Sequence, residues 1–218
     1  MARIKPIEKL TFREMMTHLE EYGGLDDGLI QLPCPDTVKI GWKRYRVPKT
    51  MPEFADKICY GQRLYLAREE ESDIGLILRM MNGYFYCVVT KQNWDEEKAH
   101  LFGNKILTCK VIELYPIAMH LVTLISEIAD REIKLLHRDY SKLELAAGIE
   151  KLTVFAELNS LNFLRDTMKI TVPEVLLTPY NECLVRFMNA KEMADYNERY
   201  FELMKVEKKT KPKFDAHS

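Results

Sequence analysis

The chain carries almost no net charge, no long apolar run and no recognisable ligand spacing for a metal or a phosphate. Its 32 Lys and Arg residues face 33 Asp and Glu, a formal net charge of -1. No global field therefore draws it to nucleic acid or to an anionic membrane. The longest apolar zone, Tyr115–Ile128, is interrupted by His120 and Glu127 and falls short of the roughly 20 residues of a spanning helix. No membrane partner is expected. Met1–Lys9 is charged and lacks an apolar stretch, so no signal peptide is expected there. The five cysteines, Cys34, Cys59, Cys87, Cys109 and Cys183, are odd in number and include no CxxC pair. That pattern suits buried reduced thiols in an intracellular, reducing compartment, with no disulfide or zinc framework.

Catalytic spacings are missing too. His18, His100, His120, His137 and His217 form neither HxH nor HExxH, and His120 sits on an apolar helical face that suits a satisfied core histidine better than a metal ligand. His137-Arg138-Asp139 has the letters of a kinase catalytic loop, but the glycine-rich loop, the following Asn and DFG are lacking. Gly23, Gly24 and Gly28 surround Asp26-Asp27 without P-loop spacing or a lysine, which reads as a solvated loop. Glu69-Glu70-Glu71 with Asp73 reads as a helix end and a capped restart, not a cation cage. There is no GxSxG serine and no cysteine with an evident histidine partner. The expectation is a protein that is not an enzyme and uses no metal or cofactor.

What the sequence does contain is helix-start chemistry. The 218 residues are 47% hydrophobic and 30% charged, a globular composition able to bury a core. Capping boxes, Ser/Thr/Asn followed three residues later by Glu, stand at Thr11/Glu14, Thr50/Glu53, Asn93/Glu96, Ser141/Glu144, Thr171/Glu174 and Asn189/Glu192. Pro52 and Pro173 support two of these starts. The pattern predicts helices over 12–22, 51–70, 73–88, 94–107, 111–137, 142–157, 172–188 and 190–205, with Pro116 beginning or kinking one and Pro179 opening a second short one. Leu114, Ile117, Leu121, Leu124, Ile125 and Ile128 form a core-facing stripe. The expected fold class is mainly α, a bundle of about seven to eight helices with one small β-hairpin near residues 38–47.

That hairpin alternates apolar and basic residues around Gly41. Lys39, Trp42, Lys43, Arg44, Tyr45 and Arg46 interleave cations with aromatics, as single-strand-binding surfaces do. The plainer reading is an exposed hairpin with one face packed on the helices; strand donation to a neighbour is a further possibility. The candidate partner-binding residues are Trp42, Lys43, Arg44, Tyr45 and Arg46, together with Lys208, Lys209, Lys211 and Lys213 of a lysine-rich end. The expected organisation is an N-terminal helix plus hairpin arm (1–49), a helical domain (50–205) and a flexible basic tail (206–218).

Met51-Pro-Glu-Phe-Ala-Asp-Lys-Ile-Cys-Tyr-Gly-Gln-Arg63, Asn93-Trp-Asp-Glu-Glu-Lys98, Ala147-Gly-Ile-Glu-Lys-Leu-Thr-Val-Phe155 and Glu174-Val-Leu-Leu-Thr-Pro-Tyr-Asn-Glu182 give residues 50–205 a resemblance of pattern to small virion neck, tail-ring and tail-assembly proteins of crAss-like tailed bacteriophages. The resemblance implies a structural or assembly role by subunit packing as a head–tail connector, ring protein or assembly factor. Its implied partners are portal, ring or tail subunits and further copies in a homo-oligomeric ring, and its implied location is the virion or host cytoplasm. It brings no catalytic residues, and it leaves the hairpin unmatched. The alternative is a helical nucleic-acid-binding or replication accessory protein using the hairpin and lysine tail.

Overall fold

The structure, a computed structural model, describes residues 9–17, 32–70, 72–140, 142–146, 148–149, 151 and 155–210. Among the described residues it is mainly α, 72% helical, with ten helices and one two-stranded antiparallel sheet. In chain order these are α1 (Phe12–Thr17), β1 (Thr37–Ile40), β2 (Lys43–Arg46), α2 (Met51–Ala55), α3 (Tyr60–Leu66), α4 (Asp73–Thr90) and α5 (Glu96–Ile106), then α6 (Val111–Leu136), α7 (Lys142–Ala146), α8 (Ala156–Met168), α9 (Val172–Leu177) and α10 (Tyr180–Thr210).

The main core gathers around α4 and α6. The stripe Leu114, Ile117, Leu121, Leu124, Ile125 and Ile128 is buried, and Ile77, Met80, Met81, Tyr84 and Phe85 of α4 meet it. By length and composition α6 is apolar enough to cross a bilayer, yet 56% of its most apolar window is buried inside the body. That burial is what a core helix shows. Pro116 lies inside α6, not at its start; Val111 begins the helix, its N–H bonded to the Leu10 carbonyl at 3.1 Å. A second cluster joins Tyr60, Leu164, Val175 and Cys183, so that α3, α8, α9 and α10 share a core of their own.

Helix starts follow local chemistry in part. Thr11 and Glu14 satisfy one another's backbone N–H groups at 2.9 and 3.3 Å, and Thr171 with Glu174 makes the full box at α9. At α2 the Thr50 hydroxyl takes the Glu53 N–H, but the Glu53 carboxylate reaches past Thr50 to the Lys49 N–H at 3.0 Å. Ser141 lies outside the described residues.

Several expected boundaries are corrected. The predicted helix 51–70 is two helices, because the chain between them is pulled into a β-bridge: Tyr60 N–H donates to the Thr178 carbonyl and Tyr180 N–H to the Ile58 carbonyl, at 2.9 and 3.1 Å. Asn93 does not cap α5; Asp95 does, its carboxylate accepting the Lys98 N–H at 3.0 Å. Of the described residues in the predicted helix 142–157, Lys142–Ala146 form α7 and residues 156–157 open α8, which runs on to Met168 where no helix was expected. Phe155, the α8 N-cap, offers no side-chain bond, so no start signal marks that helix. Asn189 and Glu192 begin nothing: α10 runs unbroken from Tyr180 through Thr210, 31 residues, with the break falling at Thr178-Pro179 instead. The helix after Pro179 is thus long, not short. Lys208 and Lys209 lie on the backbone of α10, while Lys211 and Lys213 are outside the described residues.

Candidate docking surface

The hairpin pairs Thr37 with Arg46, Val38 with Tyr45, Lys39 with Arg44 and Ile40 with Lys43. Only Gly41 and Trp42 remain to make the turn. Gly41 takes φ +64, the positive value that the first central position of a II′ turn requires and that other L-residues resist. A Cβ there would meet nothing, so the backbone, not space, selects glycine.

Alternation then sorts the two faces. Val38, Ile40 and Val47 are buried in the main core, and Tyr45 packs against it. The hairpin base is clamped by the Val47 N–H on the Asp36 carbonyl at 3.0 Å and by a Lys49–Asp36 ion pair. His120 of α6 donates its Nε2–H to the Pro48 carbonyl at 2.8 Å, which gives that histidine the satisfied core role. The Cys109 thiol donates to the Lys39 carbonyl at 3.2 Å. A framed hairpin results, with its tip outside.

At that tip Trp42 is 98% exposed. Lys39, Lys43 and Arg44 are exposed, and among the described residues none of them has a carboxylate partner; Arg44 donates only to the Thr37 hydroxyl, at 3.4 Å. Arg46 differs, since its Nε lies 3.5 Å from Glu53. The Lys49 N–H, with Lys57 and Arg46 behind it, holds the Glu53 carboxyl down at about 2. The structure therefore sets Lys39 and Arg44 side by side on the outer face of the tip, with Trp42 at the turn, while Lys43, opposite Ile40, is exposed on the other face. Tyr45 it turns inward, and Arg46 it pairs within the chain. The helical Lys208 and Lys209 belong to a different element.

Two further features bear on chemistry. A cavity of about 690 Å³ opens between α4 and α5, lined by Tyr65, Arg68, Arg79, Asn82, His100 and Asn104 among others. Arg79 donates to the Glu69 carbonyl at 2.7 Å and stands 3.6 Å from Glu70; burial lowers its pKa. Sequence reading missed it, because an arginine inside an apolar helical run gives no separate signal. The thiols are all free, and burial pushes Cys87 and Cys183 up to about 12 and Cys109 to about 11. At neutral pH these stay protonated and weakly nucleophilic. Among the described residues no group of three or more His, Cys, Asp or Glu is placed to hold a metal ion. On α10, Met193, Tyr196, Tyr200 and Leu203 recur at heptad spacing on an exposed face, with the Tyr196 and Tyr200 rings stacked at 6.2 Å.

Comparison of the chain with protein-family models, with curated proteins and with solved structures finds no match.

Proposed function

We propose that this protein is a non-catalytic structural or assembly component that docks on a neighbouring protein through the tip of its hairpin. The observation that carries the reading is Trp42: a large aromatic ring almost wholly in solvent, on a turn whose inner face is fixed in the core. A preorganised tip loses little freedom on docking, and aromatic and arginine anchors supply most interface energy. The resemblance of residues 50–205 to virion and tail-assembly proteins of crAss-like tailed bacteriophages supports a phage particle as the setting, with portal, ring or tail subunits as neighbours and the virion or host cytoplasm as the location.

The test is Trp42→Ala. The isolated chain keeps its helical circular dichroism and its melting temperature, while mass spectrometry of purified particles no longer finds it. If the variant unfolds, the tip belongs to the core; if it is incorporated normally, docking does not pass through Trp42. A second reading, single-stranded nucleic-acid binding, is favoured by the cations Lys39, Lys43 and Arg44 that lack a carboxylate partner. It requires an affinity that falls steeply with salt and weakens on Lys43→Ala.

A further inference from the structure

An acid-rimmed apolar groove lies between α3, the start of α5, α8 and α9, with a volume of about 450 Å³. Leu64, Leu161, Leu176 and Leu177 form its walls, and Trp94 lies at its base beside Gly61. Its rim carries Asp95, Glu96, Glu97 and Glu157. Two of these have partners in the chain. Asp95 pairs with Lys98 at 2.9 Å, and Glu96 pairs with both terminal nitrogens of Arg68, at 2.5 and 3.0 Å. Glu97 and Glu157 are exposed; Glu97 feels Lys98 and Glu157 feels Arg68, which also lines the groove, but both of those cations are already paired, with Asp95 and Glu96. The groove is thus a hydrophobic slot with surplus negative charge at its edge.

The hairpin tip is its complement. It offers one exposed indole, flanked by Lys39, Lys43 and Arg44, which lack carboxylate partners among the described residues. Strand pairing sets Lys39 directly opposite Arg44, and like charges so placed repel unless an anion joins them. One copy does not bring its own two surfaces together. Cys109, just past the C-terminal end of α5, holds the hairpin at Lys39, whereas Glu96 and Glu97 stand in the first turn of the same helix. An 11-residue helix separates those ends by about 16 Å.

We propose that the hairpin tip of one copy docks in the α3–α5–α8–α9 groove of a second copy, Trp42 entering between the leucines while Lys39 and Arg44 on one side of it and Lys43 on the other meet the acidic rim at Glu97 and Glu157. This inference rests on the reading of the tip as a docking element and names its acceptor. The contact joins two different patches, so it is heterologous and propagates head to tail, closing into a ring if the rotation between copies permits. Its strength falls with ionic strength, since the charged rim stays partly in solvent.

Charge reversal and mixing test it on the full chain. Lys43→Glu/Arg44→Glu sets an acidic tip against an acidic groove, and Glu97→Lys/Glu157→Lys sets a basic tip against a basic groove. Each variant alone is expected to raise the dissociation constant of self-association by about a hundredfold, because facing like charges across an interface costs about two tenfold steps. Mixed together they match again: the acidic tip of one fits the basic groove of the other, and the unchanged tip and groove fit the reverse way. Sedimentation velocity of the equimolar mixture is therefore expected to recover assemblies that neither variant forms alone. All four substituted side chains are exposed, and circular dichroism checks that both variants fold. A mixture that stays monomeric overturns the proposal, as does a wild type that never associates. Association that survives both reversals overturns it too, and assigns the contact to another face such as the α10 aromatic stripe. These readouts use the purified chain alone, so a monomeric wild type removes the self-docking while the assembly reading still stands or falls on Trp42→Ala in particles.

Discussion

Two glycine-to-alanine substitutions, chemically identical, are expected to move stability in opposite directions. Gly61 lies in α3, where an added Cβ would come within 2.7 Å of Trp94 Cδ1 and 2.9 Å of the Leu176 carbonyl oxygen. Both neighbours are held by other contacts, although one side of Trp94 borders the groove. The Trp94 ring packs 5.2 Å from Tyr65 and 6.2 Å from Tyr86, and the Leu176 oxygen is backbone of α9. Overpacking of this kind costs about 1–3 kcal/mol, against about 1 kcal/mol gained from alanine's helix propensity. The net expectation for Gly61→Ala is a loss of up to about 2 kcal/mol, or up to about 8 °C in a chain of this size. Gly75 lies in the first turn of α4, and the nearest atoms to a Cβ there are those of the Glu70 side chain, at 2.6–2.7 Å. That carboxylate is partly exposed and on a flexible side chain, so it can swing away, although doing so lengthens its 3.6 Å contact with Arg79. Gly75→Ala should therefore gain up to about 1 kcal/mol by restricting the unfolded chain. Urea denaturation at a common m-value reads both. A Gly61→Ala midpoint at or above wild type would refute the tight α3–Trp94–α9 contact, and with it the floor of the groove.

The cap assignments at two helices can be tested together. Thr171→Ala should cost about 0.5–2 kcal/mol in urea, since it empties the α9 box, and Asp95→Ala a similar amount at α5. Asn93→Ala, by contrast, should stay within about 0.5 kcal/mol of wild type; a large Asn93 effect would restore it as the α5 cap. Glu53 gives a pH signature. Its folded pKa of about 2 lies below the ordinary 4.5, so it contributes stability above the unfolded pKa, and that contribution fades as pH falls from about 4.5 toward 2. Glu53→Gln should flatten that limb of the acid-unfolding profile, and an unchanged limb would mean the Lys49 and Lys57 contacts do not persist in solution. Ile40→Ala, on the buried face of the hairpin, should cost about 2–5 kcal/mol; a cost near zero would mean the hairpin is not anchored in the core.

The sequence reading succeeded where structure depends on residues a few positions apart. Thr11/Glu14 and Thr171/Glu174 satisfy each other's amides across three residues, and period-two alternation around Gly41 marks the hairpin. It failed where distant segments compete for the same backbone. Nothing near Cys59 announces that Pro179 will bridge it and split the expected helix 51–70. Asn93 lost α5 to Asp95, an equally good cap two residues on. Asn189/Glu192 matches the capping pattern, but the pattern works only where the chain is already leaving a helix, and α10 has no such break there. Helix α8 buries only Leu164 fully, too little periodic burial to show against its polar surroundings. The groove was invisible for the same reason: its walls come from four helices that no local pattern connects.

A single exposed tryptophan proves little by itself, because folded proteins leave much apolar surface in water. Trp42 acquires meaning from its frame. The same two strands that bury Val38 and Ile40 also fix the turn, so the ring has no route back into the core without losing those contacts. Folding gains nothing from this ring in solvent, and it bears the repulsion between Lys39 and Arg44 beside it. Both unfavourable features disappear in one event, the arrival of an apolar slot with an anionic edge. Burying one indole removes about 150–250 Å² from water, worth at most about 4–6 kcal/mol before the costs of association. One such contact is weak alone. Repeated around a closed set of copies, where each subunit both gives and receives a tip, the same contact is made cooperatively, and a modest interface then suffices to hold an assembly.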